Sequence, residues 1–226
     1  QFSILGIGFP KLSNFKFDVL KKYFKSYWKL FLTLIVQSAY GHYSRIIIEA
    51  KMGLIIFTSV SLAMQIVNSF AMFQVQIDRH IRPILISSVI KKDNKSLIDN
   101  TIIYLKIYVI PAFFICISIY LFSEHIIAYI FDDKWKQVSG FLNQLLPLII
   151  IYTILRYVEI LAVALGETKY LLISNIICAF LLVLVLTLFN KDTNISYYLL
   201  AITSAPLLNL FINTIIVSSK FLKSNS

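Results

Sequence analysis

The stretch Leu171–Phe189, LLISNIICAFLLVLVLTLF, decides the fold class of this 226-residue chain. It is apolar almost throughout, carries no charged residue and ends in the run LLVLVLTLF. A helix needs about 20 residues to cross a hydrocarbon core of about 30 Å, and this stretch has nearly that length. A barrel strand would be about ten residues of alternating polarity. The stretch therefore predicts a membrane-spanning helix.

Apolar runs of similar length flank this one on both sides. The six predicted spans are 28–48, 53–76, 102–123, 139–162, 170–189 and 196–219. Polar residues interrupt the first two, whereas the third and sixth are nearly as clear as the fifth. Pro111, Pro147 and Pro206 lie inside spans, where membrane helices tolerate them as kinks. The pattern predicts an all-α membrane protein with six transmembrane helices.

The composition excludes the main soluble classes. Hydrophobic residues make up 58% of the chain and charged residues 14%, whereas a soluble domain is nearer half apolar and a quarter charged. Too little polar surface is present to cover a cytosolic enzyme, a nucleic-acid-binding domain or a disordered tail. Cys116 and Cys178 both lie in apolar runs, and they indicate neither a disulfide framework nor a metal pair.

The basic residues predict the orientation in the membrane. The net charge is +10, and fourteen Lys and Arg residues fall on the side that holds both ends of the six-span segment, against four on the other side. Because cytoplasmic flanks are rich in Lys and Arg, both ends are predicted to be cytoplasmic. The excess is thus a topology signal, not a nucleic-acid signal. Outside the 28–219 lobe, we expect 1–27 to be the end of an upstream helix followed by a basic cytoplasmic linker, and 220–226 to be a cytoplasmic tail.

Span 28–48 carries a polar stripe made of Ser38, His42, Arg45 and Glu49. At 100° per residue these positions fall within about 60° of one another, so one face of the helix cannot face lipid. One interpretation is the wall of a hydrated substrate path with Arg45 as an anion contact. The other is that Arg45 and Glu49 pair and snorkel to the interface. His42 alone is more typical of a structural histidine than of a proton carrier.

Two further polar groups lie in other spans. Span 53–76 has a stripe in which Gln65 and Asn68 favour a cavity, because long amides are costly to bury unpaired, whereas Thr58 and Ser61 favour helix packing. In span 139–162, Arg156 and Glu159 are three residues apart and can pair on one face. A structural ion pair and a substrate contact both fit them. Asn209 and Asn213 share a face of span 196–219, which favours packing.

The sequence offers little for catalysis. No Ser/His/Asp arrangement or paired carboxylate falls in a plausible pocket, and the adjacent Asp132 and Asp133 flank a turn. His42, His80 and His125 lie on different segments without metal-ligand spacing. We therefore expect no enzyme activity, no metal site and no cofactor.

Three stretches together carry a resemblance to a known family: RIIIEAKMG at 45–53 running into LIIFTSVSLAMQI, HIIAYIFDDKWKQVSGFLNQLLPLII at 125–150, and AVALGETKYLL at 162–172. These stretches resemble the O-antigen and polysaccharide transporters, the bacterial polysaccharide flippases. They are similar to the family's seventh-to-eighth helix junction, to its outer turn before the tenth helix, and to its turn between the tenth and eleventh helices. The resemblance covers about 20–220. Asp132–Asp133 replaces the glycine that is usual in the outer turn. The superfamily also includes the multidrug extruders and the lipid II flippase.

The resemblance implies a fold and an activity. The chain would be the C-terminal lobe of a two-lobe flippase with about twelve helices in the bacterial plasma membrane. It would move an undecaprenyl-pyrophosphate-linked oligosaccharide from the cytoplasmic to the outer leaflet by alternating access. The implied partners are this lipid-linked oligosaccharide, membrane lipid, the N-terminal lobe and a coupling ion, either a proton or sodium. The predicted substrate-binding residues are His42, Arg45, Glu49, Gln65, Asn68, Arg156 and Glu159.

Two rival functions remain open at this point. A multidrug-type exporter of the same superfamily would share the fold but should present an acidic residue to organic cations. An integral membrane polysaccharide polymerase would share the composition but should carry a sizeable outer loop with arginines. The outer loops here are predicted to be short.

Overall fold

The computed structural model describes residues 17–131, 135–190 and 193–224, and these ranges contain helices and turns but no strand. Asp132 and Asp133 lie outside them, as do residues 1–16 of the predicted upstream segment. The α-helices are α1 (Phe17–Met52), α2 (Leu54–Ile90), α3 (Asn94–Tyr104), α4 (Ile110–Phe131), α5 (Gln137–Leu145), α6 (Pro147–Ala164), α7 (Thr168–Leu188) and α8 (Ile195–Ser224). A π-helical segment, Leu105–Val109, joins α3 to α4.

Four of the described helical segments are long and apolar enough to cross a membrane. They are Asn94–Phe131, Gln137–Ala164, Thr168–Leu188 and Ile195–Phe221. They contain nearly all of the third to sixth predicted spans, which confirms the prediction of an all-α membrane protein. The first two predicted spans lie in α1 and α2, helices of 36 and 37 residues. Their length suffices to cross a bilayer, but polar residues interrupt them, and the count of six spans stays a prediction.

Glycines form two of the tight turns between helices. Gly53 alone separates α1 from α2 and has a φ of 84°. Gly166, with a φ of 79°, follows α6, where the Gly166 and Glu167 amides donate to the carbonyls of Val163 and Ala162. Left-handed backbone is costly for residues with a Cβ, so glycine terminates both helices. These turns fold α1 back onto α2 and α6 back onto α7.

Two prolines mark irregularities inside the apolar segments. Pro147 is the first residue of α6 and follows α5 after Leu146, whose carbonyl accepts a hydrogen bond from the Cys116 thiol at 3.5 Å. Pro111 is the second residue of α4, which follows the π-helical segment Leu105–Val109. Proline lacks an N–H donor, so the preceding turn of helix must rearrange its carbonyls. Pro206, in contrast, lies inside α8 without a break.

The helices pack so that α1, α2 and α6 surround one common space. α1 contacts α2 and α7, α2 contacts α5 and α6, and α8 contacts both α6 and α7. Lys51, at the end of α1, donates to the carbonyls of Leu186 at 2.8 Å and Thr187 at 3.1 Å and also to that of Phe189, which holds the ends of α1 and α7 together. Many large apolar side chains on the outside are exposed, as expected for helices whose solvent is lipid.

Candidate functional site

A cavity of about 510 Å³ lies between α1, α2 and α6. Its volume is within the range of sites that bind small molecules or head groups. Apolar and polar side chains both line it. The lining residues are Leu34, Gln37, Ser38, Tyr40, Gly41, His42, Arg45, Met64, Asn68, Tyr152, Leu155, Arg156 and Glu159. A cavity lined by charged side chains between helices of such an apolar chain is a candidate functional site by its chemistry alone.

Most of the residues predicted to bind substrate meet in this cavity. They are His42 and Arg45 from α1, Asn68 from α2, and Arg156 and Glu159 from α6. Glu49 and Gln65 do not line it, and both side chains are exposed. Glu49 lies one turn beyond Arg45 on α1, and Gln65 lies almost one turn before Asn68 on α2. The geometry brings five of the seven together, while their role in binding substrate stays a prediction.

Arg45 provides a positive charge without a counterion in the cavity. It is partly buried, and it forms no ion pair with Glu49 or with any other acidic residue in the described ranges. Arg45 and Glu49 therefore do not form the ion pair that was the alternative interpretation. A guanidinium can bind phosphate or carboxylate oxygens through two parallel hydrogen bonds. Arg45 is thus placed to contact an anionic group.

Arg156 and Glu159 neutralise each other, as their spacing predicts. The Nη1 of Arg156 lies 3.2 Å from Oε2 of Glu159, and the Glu159 side chain is 14% exposed. The second carboxylate oxygen, Oε1, accepts a hydrogen bond of 3.0 Å from Nε2 of Gln37 on α1. Both oxygens of this largely buried carboxylate are therefore satisfied. The Gln37–Glu159 hydrogen bond ties α1 to α6 at one end of the cavity.

The Arg156–Glu159 ion pair and Arg45 lie at different levels along α1. Gln37, which contacts Glu159, and Arg45 are eight residues apart, which is about 12 Å of helix. One end of the cavity therefore offers the unpaired cation Arg45 beside His42. The other end offers a neutral arrangement of Gln37, Arg156 and Glu159. Such a site suits a ligand with a charged end and a polar, uncharged end.

A chain of buried amides continues from Gln37 into α7 and α8. Gln37 Nε2 donates to Oδ1 of Asn175 at 3.0 Å, and Asn209 Nδ2 donates to the same oxygen at 3.1 Å. Asn213 Nδ2 donates to Asn209 Oδ1 at 2.9 Å, and Ser174 donates to Asn213 Oδ1 at 3.0 Å. Ser174, Asn175, Asn209 and Asn213 are each at most 1% exposed. Packing is thus the confirmed role of Asn209 and Asn213.

Sequence analysis missed Gln37, Tyr40 and Tyr152 as cavity residues, and it missed Asn175. The sequence did indicate a buried polar contact at Asn175, because an amide in the middle of an apolar span must find a hydrogen-bond partner there. Gln37 precedes the polar stripe by one residue, so the periodicity of Ser38, His42 and Glu49 excluded it. Within the described ranges, no three His, Cys, Asp or Glu residues come close enough to hold a metal ion.

Comparison with known proteins places the chain in a family. The family model described as polysaccharide biosynthesis protein matches residues 9–140, which is more than half of the chain. Nothing matches among curated proteins or among solved structures. The matched stretch holds the cavity residues of α1 and α2, including Arg45 and Asn68, but not α6. This membrane chain therefore belongs to the polysaccharide biosynthesis protein family, of the flippase type that its sequence resembles.

Proposed function

We propose that the chain is the C-terminal lobe of a flippase that moves an undecaprenyl-pyrophosphate-linked oligosaccharide from the cytoplasmic to the outer leaflet of the bacterial plasma membrane. The activity is transport by alternating access, not catalysis. The observation that supports it best is Arg45, a cavity cation with no acidic partner among the described residues, in a polysaccharide-family protein.

The chemistry of the cavity fits the head group of such a substrate. Pyrophosphate is anionic, and the guanidinium of Arg45 can offer it two parallel hydrogen bonds. Sugar hydroxyls both donate and accept, and the amide of Asn68 can do the same. The cavity volume of about 510 Å³ suits part of a head group rather than a whole lipid-linked oligosaccharide.

The exposed polar face of α1 and α2 supports a second lobe. Ser38, His42, Asn68 and Gln65 are all exposed on helices that we propose to cross the membrane, which completes the six spans. Hydrocarbon offers these groups no partners, so such a face is unstable against lipid. An N-terminal lobe across the cavity would cover it, and substrate would enter between the two lobes. A proton or a sodium ion is the proposed coupling ion.

A multidrug-type exporter is the second candidate, because Glu159 places a carboxylate in the cavity. An organic cation would need this carboxylate to be available. Arg156 and Gln37 occupy both of its oxygens, whereas Arg45 has no counterion in the described part of the chain. The charge balance therefore favours an anionic ligand over a cationic one.

Deletion of the gene for the full-length protein tests this proposal. The measurement compares surface polysaccharide with lipid-linked intermediates on the cytoplasmic side. The proposal predicts lost surface glycan and complete repeat units accumulating inside. Normal surface glycan would contradict it and direct attention to drug sensitivity. Repeat units that reach the outer leaflet but stay unpolymerised would instead indicate a polymerase.

A further inference from the structure

Gln37 is a cavity residue whose side chain also reaches out of the cavity. Its Nε2 donates to Oε1 of Glu159 in the cavity and to Oδ1 of Asn175 on α7, both at 3.0 Å. The two N–H groups of this one amide thus hold an oxygen on α6 and an oxygen on α7. A shift of Asn175 must therefore displace Gln37 or break one of these bonds.

The amides beyond Gln37 have a fixed order of donors and acceptors. Asn175 Oδ1 accepts from both Gln37 and Asn209, while its Nδ2 donates to the Leu171 carbonyl at 2.8 Å. Asn209 Oδ1 accepts from Asn213. Because Asn175 and Asn209 are at most 1% exposed, bulk solvent does not reach them to replace a lost bond. Removing Asn209 takes one of its two donors from Asn175 Oδ1 and leaves Asn213 Nδ2 without its acceptor, so Asn175 and the Gln37 amide bonded to it are held less firmly.

We propose that Asn209 is a positioning residue for Arg156. Asn209 acts through Asn175 and Gln37 on Glu159. Glu159 in turn holds the Arg156 guanidinium in the cavity and in its ion pair. Asn209 does not line the cavity and so cannot act by contact with a ligand there. Four side-chain hydrogen bonds, of 3.1, 3.0, 3.0 and 3.2 Å, connect Asn209 to Arg156, and we call this series the relay. The inference rests on the proposed function only in taking the cavity as a ligand site.

The relay determines which arginine an anion can engage. With the relay intact, Glu159 occupies Arg156, and Arg45, which has no acidic partner in the described ranges, is the cation available to an anionic group. With the relay broken, Glu159 loses its fixed orientation and its ion pair with Arg156 weakens. Selectivity for the position of the anion therefore depends on an amide of α8 that the ligand never touches.

The test measures the reaction of Arg156 with phenylglyoxal, quantified by peptide mass spectrometry on the full-length protein in lipid nanodiscs. Asn209→Ala should raise the rate of modification at Arg156 about fivefold, the equilibrium effect of one lost hydrogen bond. Gln37→Met should raise it at least as much. Asn100→Ala is the matched control, since Asn100 bonds to Ser96 and Ser88 on α3 and α2 and not to the relay. This control should leave the rate unchanged.

The double variant separates positioning from general loosening. If Asn209 acts through Gln37, Asn209→Ala adds nothing in the Gln37→Met background. An additive effect, or a wild-type rate in a folded Asn209→Ala protein, would overturn the proposal. If Asn209→Ala does not fold, Asn209→Ser makes the same test, because its shorter side chain cannot reach Asn175 and leaves less space empty.

A second readout keeps this inference distinct from the proposed function. Inorganic pyrophosphate should protect Arg45 from phenylglyoxal in the wild-type protein, and both Arg45 and Arg156 in Asn209→Ala. If pyrophosphate protects neither arginine while the rates at Arg156 follow the relay, the anion site fails and the positioning role stands. If Arg45 is protected but the rates at Arg156 ignore the relay, the positioning role fails and the anion site stands.

Discussion

The Nε2 atom of Gln37 on α1 lies 3.0 Å from Oε1 of Glu159 on α6, although 122 residues separate them in the chain. Arg156 neutralises the charge of Glu159, and this contact satisfies the second oxygen of the carboxylate. It leaves Arg45 as the cavity cation that no acidic residue in the described ranges offsets. The charge balance of the cavity and the packing of α1 on α6 thus depend on the same few side chains.

Breaking the Arg156–Glu159 pair should destabilise the protein. Arg156→Met leaves a largely buried carboxylate without its counterion, and we expect the free energy of unfolding to fall by about 1–3 kcal/mol. Adding Glu159→Gln should recover most of the loss, because the amide needs no counterion. Denaturant unfolding in detergent, followed by tryptophan fluorescence, measures both effects.

The second ion pair of the described chain is the control for this experiment. Lys220 and Glu167 lie 2.6 Å apart, but Lys220 is well exposed. Solvent screens such a pair, so Lys220→Met should change stability little. Equal losses for Arg156→Met and Lys220→Met would show that burial does not set the energy of the cavity pair.

Gly53→Ala should destabilise the turn between α1 and α2. A Cβ at Gly53 meets no atom within 4 Å, so the cost comes from the backbone, whose φ is 84°. We expect a loss of about 1–2 kcal/mol, the cost of left-handed backbone for a residue with a Cβ. Gly140→Ala in α5 also meets open space, but at a helical φ, and should be neutral or stabilising. Similar unfolding midpoints for the two variants would contradict this account.

Much of the fold follows from the sequence because lipid imposes a simple rule on apolar runs. Runs such as 170–189 and 196–219 have to be helices, and α7 and α8 occupy them. The first and last residues of the helices were less predictable. α1 begins at Phe17, within the expected linker, because amphipathic sequence next to a span can extend a helix without lengthening its apolar part. α2 likewise continues to Ile90, beyond the predicted end at 76.

The cavity was predictable only in part. Periodicity on one helix brought His42 and Arg45 to one face, and the spacing of Arg156 and Glu159 predicted their pair. Neither argument says which helices meet, so Gln37 and its contact with Asn175 could not be inferred. Exact register on the helix surface also matters: Glu49 shares the stripe with Arg45 but lies beyond the cavity.

Cysteine labelling tests the proposed topology and the first two spans. With the native Cys116 and Cys178 buried, an impermeant maleimide should report introduced cysteines with little background. Ala50→Cys and Asn194→Cys should react in intact cells. Lys91→Cys and Ser224→Cys should react only after permeabilisation, because the distribution of basic residues places them in the cytoplasm. Reaction of Lys91→Cys from outside would show that α2 does not cross the membrane as proposed.

Flipping by the purified protein is the most direct test of the account. Full-length protein is reconstituted in vesicles that contain an undecaprenyl-pyrophosphate-linked oligosaccharide. The fraction of sugar exposed on the outside is then followed with an impermeant glycosidase. We predict that wild-type protein makes the inner pool accessible and that Arg45→Ala abolishes this, since the anionic head group loses its unpaired cation, whereas Ser204→Ala on α8 behaves as wild type. Equal accessibility in vesicles with wild-type protein, with Arg45→Ala protein and without protein would contradict the account.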